Sequence, residues 1–86
     1  MTIEQIEKFI QQGAPQNNGP RQVAISFKTR HMVEGIFVKA PDYPELRGKN
    51  FWRIVTIRYL EEFNKSGDMN FSRIFNGAEF TKLSQR

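Results

Sequence analysis

VEGIFVKA (residues 33–40), PDYPELRGKN (41–50) and FWRI (51–54) form the stretch on which the reading of the fold turns. The outer runs are rich in β-branched and aromatic residues, the composition of a pleated, half-buried surface. Gly35 lies inside the first run, where a glycine marks a bulge, a sharp bend or a close backbone approach. The middle run holds two prolines, a glycine, two basic and two acidic residues. It is expected to be an exposed, irregular loop. A bent strand feeding such a loop points to a small, strongly curved sheet.

Outward from this stretch, the preceding segment RQVAISFKTR alternates Val23, Ile25 and Phe27 with Ala24, Ser26 and Lys28. That is a strand with one face buried and one wet. Residues 29–32 make the turn between the two strands. Upstream, GAPQNNGP (13–20) is turn and linker chemistry throughout. At the start, Thr2 and Gln5 have capping-box spacing, and Ile3, Ile6, Phe9 and Ile10 recur at helical intervals. Residues 2–12 are therefore expected to form a short amphipathic helix, stopped at Gly13 and laid on the sheet.

Downstream, FWRIVTIRYLEEF (51–63) puts large apolar groups on both faces of an extended chain. A strand buried on both sides is the favoured reading, with a helix over VTIRYLEEF as its rival. Residues 64–68 make a turn. MNFSRIFNGAEFTKLSQR then reads as two short strands broken at Asn76-Gly77, where positive φ angles are expected.

Eighty-six residues suit one domain, 1–86: a helix at 2–12, a linker at 13–20 and a small β-barrel at 21–86. The eight Phe and one Trp are enough to fill such a core. The absence of cysteine excludes disulfides and thiolate metal sites, and His31 alone cannot build a histidine cluster. No segment has membrane-spanning length or a signal-peptide pattern, so the chain reads as soluble and cytoplasmic. Net charge is +4: Glu4, Glu7 and Lys8 leave residues 1–20 at −1, and the remainder is at +5. That bias permits an anionic partner.

Catalysis has little support. Glu45, Glu61 and Glu62 lack an opposing partner, the serines lack a nucleophile motif, and His31 reads as a surface turn residue. No phosphate-cradling glycine motif occurs and no cofactor is expected. The chain reads as a non-enzyme.

One helix followed by a strongly bent, five-stranded antiparallel sheet defines a mostly β fold. Three stretches of it resemble the Sm-like (LSm) family, a small SH3-like barrel. RQVAISFKTRHMVEGIFV looks like that family's opening hairpin, with Gly35 in the bent second strand. Asp42 and Asn50-Phe51 look like the Asp…Asn-hydrophobic end of its first motif. RIFNGAEFTKL looks like its second motif, around Asn76-Gly77. Two departures are visible: seven residues separate Asp42 from Asn50, where the family has only a few, and Asn76 stands where the family has Arg. The resemblance implies a homo-oligomeric ring closed by strand pairing, with single-stranded RNA held by Asn50, Asn76 and Gly77.

The residues themselves add a local reading. Lys39, Arg47, Lys49 and Arg53 are interleaved with Tyr43, Phe51 and Trp52, and cations that track phosphates beside rings that stack bases hold single strands at about 1–3 kcal/mol per stacked base. Tyr43 and Lys49 are the local candidates for RNA contact, and Lys39, Arg47 and Arg53 for a basic patch. Phe51 and Trp52 are more often core. The alternative is an SH3-like protein-interaction or structural module, with Asp42, Tyr43, Pro44 and Leu46 meeting a protein partner.

Overall fold

The computed structural model describes residues 1–12 and 22–85; the linker 13–20 and the helix stop at Gly13 lie outside them. Helix α1 (Ile3–Gln12) begins at a reciprocal capping box. The Thr2 amide donates to Gln5 Oε1 at 2.9 Å, and the Gln5 amide donates to Thr2 Oγ1 at 3.2 Å. Two otherwise unpaired amides are thus satisfied. The apolar stripe of α1 lies on the sheet, with Ile6 fully buried against Trp52, Ile54 and Phe80.

The strands are β1 (Val23–Phe27), β2 (Val33–Phe37), β3 (Phe51–Thr56), β4 (Arg73–Asn76) and β5 (Phe80–Gln85). All neighbours are antiparallel, in the order β4-β3-β2-β1-β5. In a flat sheet β1 and β4 would stand about 14 Å apart, at roughly 4.8 Å per strand. Instead Phe27 of β1 and Phe75 of β4 meet with ring centroids 5.7 Å apart. The sheet therefore curls strongly around one core. It does not close by hydrogen bonding: β4 and β5 remain its two edges.

Gly35 makes the curl possible. A Cβ there would lie 2.2 Å from the Val55 carbonyl oxygen and 2.9 Å from Thr56 Cα, so β3 crosses where only hydrogen fits. Of the outcomes expected at this glycine, close backbone approach is the one realised.

Four sequence expectations need correction. First, residues 41–50 are not an irregular loop but contain helix α2 (Tyr43–Gly48). Pro44 looked like a breaker, yet it sits in the first turn, where no amide partner is required. Second, the run expected as a strand to Phe63 leaves the sheet at Thr56. A 3₁₀ turn, Ile57–Tyr59, leads into helix α3 (Leu60–Ser66), which ends at Gly67 with φ 67°. Both faces of β3 are buried as expected, and the helix on the outer face is this one. Tyr59, Leu60 and Phe63 pack on Ile36, Val38 and Val55, while Trp52 and Ile54 face the inner core. The helical reading wins because that outer face needs a cover and the chain supplies one directly.

Third, Asn76-Gly77 adopts no positive φ; Gly77–Glu79 is a 3₁₀ turn opened by Asn76, whose side chain accepts the Ala78 amide. Fourth, Ala24 was placed on the wet face but is only 4% exposed. Its cross-strand neighbours Glu34 and Ser84 flank the small methyl on that face. With these helices the described residues are about 41% helix and 35% strand, so "mostly β" overstates the strand content.

Candidate nucleic-acid interface

The segment that carried the sequence-based site is tied into the protein. Asp42 takes the Arg53 guanidinium at 2.7 Å on Nη2, with Nε also in range, and Arg53 Nη1 donates to Ser72. Hydrogen bonding from Arg53 holds the Asp42 carboxyl below the usual carboxylate range. Arg47 makes a paired contact with Glu7 of α1, Nη2 donating to Oε1 at 2.8 Å and Nε to the other oxygen. This depresses Glu7 in the same way. Two of the three basic-patch residues thus have carboxylate partners, and the patch expected from the sequence is largely neutralised.

Lys39 stands over the Tyr43 ring at 5.1 Å, and Tyr43 meets Trp52 edge-on at 6.1 Å. Burial pushes the Tyr43 hydroxyl above its ordinary range. Tyr43 is therefore packed against the core instead of standing free to stack. Lys49 is exposed, with Glu45 at 3.8 Å. The set considered for a protein partner is similarly engaged: Asp42 is paired, Tyr43 is packed and Leu46 is half-buried.

Asn50, Gly77 and Trp52 converge, as the resemblance implied for the first two, but on one another. Asn50 has φ 63°. Its Oδ1 accepts the buried Trp52 indole N–H at 2.8 Å, its Nδ2 donates to the Met1 carbonyl at 3.0 Å, and its own carbonyl accepts the Gly77 amide at 2.8 Å. A Cβ on Gly77 would lie 2.2 Å from Asn50 Oδ1 and 2.6 Å from Trp52 Nε1. The Met1 nitrogen donates to the Gly77 and Phe80 carbonyls. This cluster is a structural lock joining the start of α1, the start of β3 and the β4–β5 turn. Asn76 alone of that group is exposed, paired in register with Phe51.

The opposite end of β3 and β4 is arranged differently. Arg30 in the β1–β2 turn, Arg58 after β3 and Arg73 at the start of β4 line a cleft of about 160 Å³ with Tyr59 and Phe75. None of the three arginines joins a salt bridge among the described residues. The Arg30 guanidinium lies 5.3 Å from the Phe27 centroid and 5.4 Å from that of Phe75. Arg58 lies 5.6 Å from the Tyr59 centroid. Rings orient these cations while leaving their N–H donors for an anion. A neighbouring pocket of about 260 Å³ shares Arg30 and Phe75 and reaches Asn76, with Glu79 the carboxylate on its wall. Exposed Met32, Ile57 and Ile74 belong to the same segments as the arginines.

Sequence reading missed this cleft because its arginines are 28 and 15 residues apart, in a turn, a strand extension and a strand start. The available signal was arithmetic: residues 21–86 carry +5, and the acids of the 41–50 segment sit beside only part of that charge. Among the described residues no three His, Asp or Glu side chains gather as a metal site, and no helix is long and apolar enough to cross a membrane. No family model, curated protein or solved structure matches this chain.

Proposed function

We propose that the chain is a non-catalytic, Sm-like module that binds single-stranded RNA as a homo-oligomeric ring. The observation that carries this reading is the distribution of arginine. Arg47 and Arg53 are spent on internal carboxylates, whereas Arg30, Arg58 and Arg73 face solvent beside aromatic rings with no acid partner among the described residues. Unpaired cations interleaved with rings favour a polyanion over a neutral or cationic ligand. The ring is supported by the sheet order: β4 and β5 are its two edges among the described residues, and edge pairing between copies would cover both. Several weak sites on one ring would then act at high effective concentration.

Titration of oligouridylate and oligoadenylate at two salt concentrations tests the reading. Saturable binding that weakens steeply with salt is expected, because each phosphate contact displaces a counterion. Absence of saturable binding at low salt refutes it. An SH3-like interaction with a protein partner, built on apolar anchors, would show little salt response.

A further inference from the structure

We propose that the cleft between Arg30, Arg58 and Arg73 is a phosphate-backbone site for single-stranded RNA, lying at the end of the β3–β4 ladder away from Asn50 and Gly77. This rests on the RNA-binding reading above and locates the ligand within it. Three observations converge. The cleft is walled by three guanidinium groups, and no carboxylate lines it. Arg30 caps the touching ring pair Phe27 and Phe75, and Arg58 is backed by Tyr59, so both cations are oriented before any ligand arrives. Preorganised donors lose less freedom on binding than free side chains do. The cleft also lies over the strand ends, with walls from the β1–β2 turn, β3, β4 and the 3₁₀ turn.

The chemistry is that of charge and not of base edges. Tyr59 is stacked on Phe71 at 6.1 Å and carries Arg58, so its ring serves the guanidinium instead of offering a free face to a base. The site reads phosphates and tolerates sequence, so oligouridylate and oligoadenylate should bind alike. At the far end, Asn76 in the adjoining pocket is the sole residue shared with the site expected from the sequence.

The test compares three full-length proteins: the unaltered chain, the cleft variant R30Q/R58Q/R73Q, and a control that loses equal charge elsewhere, K8Q/K65Q/K82Q. All replaced residues are exposed, and urea unfolding followed by Trp52 fluorescence checks that each variant folds. With three phosphate contacts per protomer, affinity of the unaltered chain should fall roughly 20-fold between about 50 and 200 mM salt. The cleft variant should bind at least ~10-fold more weakly at the lower salt and lose most of the salt dependence, while the control changes by less than ~3-fold. If the unaltered chain binds and the two variants weaken equally, the location is wrong while the RNA reading stands. If the unaltered chain fails to bind RNA, both fall. Arginine-dependent binding of polyglutamate without RNA binding would overturn the proposal in favour of an acidic protein partner.

Discussion

Replacing Asn50 by alanine separates a structural lock from a ligand contact. In the folded chain Asn50 accepts the Trp52 indole N–H, donates to the Met1 carbonyl and holds φ at 63°. Trp52 is 1% exposed, so loss of its acceptor leaves a buried donor unsatisfied, which costs about 1–3 kcal/mol. An alanine Cβ in the left-handed region adds about 1–2 kcal/mol, a conformation that asparagine tolerates better. Destabilisation of about 2–5 kcal/mol is therefore expected. Asn50→Gly, which relieves the backbone but not the indole, should recover roughly 1 kcal/mol of it. Trp52 is the single tryptophan and reports directly on the site in a urea titration. At a slope of about 1 kcal/mol per molar urea, the alanine midpoint should drop by ~2 M or more. An alanine variant that unfolds with the unaltered protein yet loses RNA affinity would refute the lock and restore Asn50 as an RNA contact.

Other consequences follow from the same geometry. Gly35→Ala forces a Cβ against the Val55 carbonyl and should cost ~3 kcal/mol or more, read as a lost or strongly lowered thermal transition; near-native melting would show that β2 and β3 can part there without penalty. Gly67→Ala places a side chain at φ 67° and should cost about 1 kcal/mol, measured by chemical unfolding; no loss would contradict the helical end of α3. Glu7 and Asp42 are both held below the ordinary carboxylate range by their arginines. Their contribution to stability is complete above the unfolded value, about 4, and is lost as pH falls through the lower folded values. Urea midpoints should thus decline on acidification below that point, and Glu7→Gln with Asp42→Asn should flatten the decline. An unchanged pH profile in the double variant would remove these pairs from the balance.

How far the sequence reaches depends on whether the deciding interaction is local. The capping box of α1, the strand β1, the glycine at a tight crossing and the break between β4 and β5 are written within a few residues, and each was legible, though burial of Ala24 on the face read as wet was not. α2 was hidden by Pro44, whose position in the first turn matters more than its presence. α3 was read as strand in preference to helix, because the uncovered face of Ile36, Val38 and Val55 that demands a helix is visible only once the sheet exists. The site diverged for the same reason. Arg47 and Arg53 looked free because Glu7 lies 40 residues away and Asp42 pairs across a helix; Arg30, Arg58 and Arg73 looked unrelated because curling of the sheet brings them together.

The proposed ring requires the β4 and β5 edges of this curled sheet to meet between copies. Size-exclusion chromatography with light scattering tests it most directly. A closed oligomer with a mass several times 10.1 kDa is expected, and a strict monomer of 10.1 kDa would contradict it.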